Sequence, residues 1–75
     1  MSDTLKYYLQ GCMKELADRA RAAKAEKDSS KSDYDLGKLM AFYDVISTLQ
    51  QEAVGFGIPL EEIGLDGINP DKELL

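Results

Sequence analysis

The stretch LGKLMAFYDVISTLQQEAV, residues 36–54, decides the fold. On a helix at roughly 100° per residue, Leu36, Met40, Tyr43 and Val54 share one side. Leu39, Ile46, Ala53, Phe42 and Leu49 follow round the cylinder, with Val45 at the far edge. Asp44, Thr48, Gln51 and Glu52 take the remaining face. The apolar arc is about 200° wide, where a surface helix needs ~100° or more. A single neighbouring helix cannot cover it. The reading therefore expects the C-terminal segment, a second copy of the chain, or both, to share in the burial.

The end of this helix is marked by Gly55 and Gly57, which tolerate the left-handed conformation, and by Pro59 beyond them. Its start is marked by Ser32, an N-cap type, with Asp35 three residues on in the manner of a capping box. Upstream, Ser2 or Asp3 caps a first helix. Its stripe is Leu5, Tyr8, Leu9, Cys12, Met13, Leu16, Ala20 and Ala23, spaced by threes and fours. Gly11 falls outside that stripe and reads as tolerated, or as a place where a partner approaches closely. Between the helices lies DSSKSD, residues 28–33, read as a short polar loop of the kind that joins antiparallel helices.

The predicted organisation is one domain of 75 residues: helix 1 over about 3–27, a loop at 28–32, helix 2 over about 33–55, and a C-terminal extension at 56–75. In the extension Pro59 opens a single turn stopped by Gly64. Asp66-Gly67 makes a turn, and Asn69-Pro70 caps a further one. Ile58 to Leu65 is expected to pack on the helices, and Asp71 to Leu75 to fray. The fold class is all-α: an antiparallel helical hairpin with a short, partly helical C-terminal extension, dimerising into a four-helix bundle. A chain this short lies near the lower limit for a self-sufficient core. With one cysteine and no histidine, an intrachain disulfide and ordinary zinc sites drop out, which leaves oligomerisation as the aid.

The same composition argues against catalysis. Without histidine there is no base that titrates near neutrality. Glu61 and Glu62 are adjacent, so as helical residues they point about 100° apart and read as solvated charges. Cys12 reads as a small buried hydrophobe. Asp66, Gly67, Asn69 and Asp71 lack the ligand alternation and closing Glu of a calcium loop. No cofactor and no metal is expected. With 44% hydrophobic and 31% charged residues the chain reads as globular. No apolar run approaches a membrane span, and the N-terminal residues do not read as a secretory signal, so the expected location is the cytoplasm.

A net charge of −5 disfavours nucleic acid in general. Charge is uneven, however: about +2 before Asp28 and about −7 from there onward. Lys6, Lys14, Arg21 and Lys24 share one flank of helix 1. They either follow a phosphate backbone or pair with the acidic loop and tail. Tyr7 points away from the main stripe and reads as an ordinary partly exposed aromatic, with a partner contact as the alternative; Tyr34 sits at the entrance of helix 2. The functional expectation is a non-enzymatic protein–protein interaction or regulatory module acting as a homodimer. Its expected dimer and core face is Leu36, Leu39, Met40, Phe42, Tyr43, Ile46, Leu49 and Ala53. The alternative is a hairpin-dimer RNA-binding protein using the basic flank.

Overall fold

Two capped helices carry the molecule. The computed structural model describes residues 2–75, all helix, turn or irregular backbone. Helix α1 runs Asp3–Ser30 and α2 runs Asp33–Gly55. A 3₁₀ turn follows at Leu60–Glu62, and a one-turn helix, α3, at Pro70–Glu73. Helices α1 and α2 pack against each other as a hairpin. Among the described residues no helix is long and apolar enough to cross a membrane.

Each boundary has a side chain or a backbone bond behind it. The Leu5 N–H donates to Ser2 Oγ, and the Asp35 N–H donates to Ser32 Oγ, 3.2 Å in each case. At the end of α2 the Gly57 N–H bonds Val54 O and the Ile58 N–H bonds Ala53 O. Gly57 has φ +71°. That pair of bonds closes the helix and turns the chain back toward the hairpin. At Asn69 the side chain accepts from the Lys72 N–H, with Pro70 at the first helical position.

The first helix is longer than its sequence suggested. Asp28, Ser29 and Ser30 belong to α1, and the connection shrinks to Lys31 and Ser32. Polarity was a poor guide because these residues lie on the solvent side of a helix that continues. Lys24 pairs with Asp28 one turn on, and the helix stops only where Lys31 turns left-handed (φ 55°) and bonds Lys27 O.

The core joins all three parts of the chain. From α1 it takes Met13, Ala17, Ala20 and Ala23, and from α2 Leu39, Ile46 and Ala53. Ile63, Leu65, Ile68 and Leu74 complete it from the C-terminal segment. Alanine fills three of the four buried positions of α1, so that helix supplies closeness and little volume. The bulk comes from Leu39, Ile46, Leu65 and Leu74, all essentially inaccessible to solvent. The expectation that residues 71–75 fray is corrected: Leu74 is 0% exposed and anchors the segment. The polar run Asp71-Lys72-Glu73 hid it, since those residues form the outward part of α3.

The molecule measures 42 × 21 × 16 Å. Its long axis is that of α1, whose 28 residues reach about that length at 1.5 Å rise. Its thin axis is about one and a half helix diameters.

Candidate functional site

The C-terminal segment lies on one side of the hairpin. On α1 it meets the row Gln10, Lys14, Ala17 and Arg21. Gln10 Nε2 donates to Glu62 O at 3.1 Å, and Arg21 Nη2 donates to Gly67 O at 2.9 Å. Gly64, at φ +78°, sits against Gln10 so closely that a Cβ there would stand 3.4 Å from Gln10 Cα and O. On α2 the segment meets Tyr43 and Gln50. Gln50 Nε2 donates to both Leu65 O and Ile68 O, at 3.0 and 2.9 Å. Irregular backbone must satisfy its carbonyls, and these two glutamines do so where water is kept out. The sequence offered no signal for that role, since an exposed and a bonded glutamine look alike in it.

Ion pairs and a phenol bind the end of the segment. Arg21 Nε reaches Glu73 Oε1 at 3.0 Å, and Lys24 Nζ reaches Leu75 O at 3.1 Å. The Asn69 backbone N–H donates to Glu73 Oε2 at 2.7 Å. That bond, with the Arg21 guanidinium, holds the Glu73 carboxyl below its ordinary value of 4.5. Tyr43 Oη donates to Asp71 Oδ1 at 2.5 Å, which raises the phenol pKa.

The basic flank is therefore largely engaged within the chain. Arg21 and Lys24 hold the C-terminal segment, and Lys14 pairs with Asp18 at 2.9 Å. Among the four cations of that flank, Lys6 alone has no ion-pair partner among the described residues. Among the described residues no group of three or more His, Cys, Asp or Glu is placed to hold a metal ion.

The other side of the hairpin carries no covering segment. On α1, Tyr8, Glu15, Arg19, Ala22 and Glu26 fall within about 60° of one another, in a row on the far side of the core stripe from Gln10 and Arg21. All five are exposed. On α2, Val45 lies roughly 150° from the Tyr43–Gln50 edge and is 45% exposed. An open groove of about 600 Å³ runs along α1 from Tyr7 and Tyr8 past Gly11 and Cys12 to Leu16 and Arg19. A smaller hollow of about 300 Å³ lies between the helices, lined by Arg19, Ala22, Glu26, Lys38 and Phe42. Tyr8 is 66% exposed, and Leu5 and Phe56 are exposed at the same end of the hairpin.

The residues expected on the dimer and core face divide. Leu39, Ile46 and Ala53 are internal, while Met40, Phe42, Tyr43 and Leu49 are half-buried against the core. Leu36 is exposed at the start of α2. Val45, read as the margin of the arc, lies on the open side, where Lys38 and Phe42 line the hollow. Two readings of α1 are corrected. Tyr8 and Leu5 are exposed although they keep the spacing of the core stripe, and Cys12 is half-buried at the floor of the groove. Gly11 has open space where a Cβ would stand, so it admits no close approach within this chain. Tyr7 and Tyr34 are exposed. Comparisons with protein families, with curated proteins and with solved structures give no match, so geometry alone carries the functional argument.

Proposed function

We propose that this chain is a non-enzymatic protein-interaction module of the cytosol that works as a homodimer. Two hairpins join by their open sides into a four-helix bundle, with each C-terminal segment on the outside. One observation carries the reading: one side of the hairpin is sealed by the chain's own extension, and the other presents apolar surface with nothing over it. Tyr8 and Val45 lie exposed there, beside the half-buried Leu16, Phe42 and Leu49 that line its hollows. Exposed apolar residues beside a groove rimmed by charge mark an association surface, although Leu36 and Val54, on the Tyr43 side of α2, are exposed as well. The RNA-binding alternative has less support, because Lys14, Arg21 and Lys24 already have acidic or carbonyl partners in the chain.

The test is the concentration dependence of thermal unfolding. A folded dimer in equilibrium with unfolded chains melts at a temperature that rises with protein concentration. The expected result is such a rise for the native chain and its loss in Val45→Glu, which places a charge on the open side. A melting temperature independent of concentration in the native chain counts against the homodimer.

A further inference from the structure

The charges on the open side are arranged for a second copy of this chain. Glu15, Arg19, Glu26 and Lys38 line the groove and the hollow, and their charges cancel. Asp44, beside Val45, adds one further acid to this side. A row that carries both signs in alternation can meet its own copy with opposite charges facing, which permits self-association. Glu15 and Arg19 stand one turn apart on the same row. Within the chain they approach only to 4.0 Å, with side chains 67% and 70% exposed, so neither is committed to the other.

A two-fold axis requires that whatever residue i meets on the partner, the partner's copy meets in return. An axis passing between Glu15 and Arg19 satisfies this with opposite charges on both sides. It also sets α1 antiparallel to its copy, so that positions equally far from the axis come together. Tyr8 lies nine residues before that centre and Glu26 nine residues after it, about 13 Å along the helix in each direction. The exposed Tyr8 ring then falls at the hollow of Ala22, Glu26, Lys38 and Phe42 on the second copy. The hollow has an apolar wall for the ring and, in Glu26 and Lys38, which pair with each other at 3.1 Å, polar groups for the hydroxyl.

We infer that the homodimer proposed above is built on this register: α1 lies antiparallel to its copy, Glu15 pairs with Arg19 twice across the two-fold axis, and each Tyr8 enters the other copy's hollow. The inference rests on the homodimer reading and specifies it.

Glu15→Arg and Arg19→Glu, measured separately and as an equimolar mixture by sedimentation velocity, test the register. Both sites are exposed, so helicity by circular dichroism serves as the folding control. Each single variant puts like charges together at both contacts and is expected to weaken self-association about tenfold or more. The mixture is expected to restore native-like dimers, because one variant presents two cations to the other's two anions, and restoration is expected to fade at high salt. Single variants that dimerise as the native chain does overturn the register and leave the homodimer standing. So does weakened association that mixing fails to restore, since the pair then acts only within a chain. A native chain that sediments as a monomer overturns both.

Discussion

The two sides of this hairpin begin with similar helix surfaces and end differently. On one side Ala17, Ala20, Leu39 and Ile46 are covered by a segment that brings Ile63, Leu65, Ile68 and Leu74, and its carbonyls are met by Gln10, Gln50 and Arg21. On the other, Tyr8, Val45 and the groove above Cys12 meet solvent. The difference teaches that a short irregular segment can complete a core from within on one side of a hairpin. The polar details differ as well: the covered side has bonded glutamines and tail-directed ion pairs, and the open side has pairs only within the hairpin, Glu15 with Arg19 and Glu26 with Lys38.

The contrast predicts unequal sensitivity to substitution. Leu65→Ala, at a fully buried position of the covering segment, is expected to cost roughly 2–5 kcal/mol in urea unfolding. Next comes Gln50→Leu. It leaves the carbonyls of Leu65 and Ile68 without their donor and is expected to cost about 1–3 kcal/mol by the same measurement. Two glycines then separate the sides by sign. Gly64→Ala is strained by its positive φ and should lose about 1–2 kcal/mol. Gly11→Ala, a helix-interior change with open space around it, should gain up to about 1 kcal/mol.

The smallest expected effect is that of acid on the segment's end. The folded state holds the Glu73 carboxyl below its ordinary 4.5, through the Asn69 N–H first and Arg21 second. A lowered folded value means that the stabilisation is complete above 4.5 and is lost as pH falls through the folded value. The protection of the Asn69 amide, relative to its intrinsic exchange rate at each pH, is expected to fall over that window while that of Ile46 holds. An equal fall at both sites would show that the segment and the helices open together.

Much of this architecture was legible in the residues. Ser32 and Asp35 marked the start of α2, Gly57 and Pro59 its end, and Asn69-Pro70 the last turn, because capping chemistry is local. The width of the apolar arc on α2 announced more than one neighbour. Which neighbour took which part was not legible, because a helical wheel reports which residues are apolar and says nothing of what covers them. Tyr8 and Met13 sit in one periodic stripe, yet one is open and the other buried. Leu74 looked like a fraying end, and its burial depends on a turn at Gly64 that places the segment over Gln10. The engagement of Arg21 with Glu73 joins residues 52 positions apart, beyond the reach of any local pattern.

The central claim is that the open side is completed by a second copy. Molar mass by light scattering at micromolar concentration tests it most directly. The account predicts twice the chain mass of 8.3 kDa for the native protein, and 8.3 kDa with unchanged helicity for Val45→Glu. A native protein that holds at 8.3 kDa as its concentration is raised would contradict it.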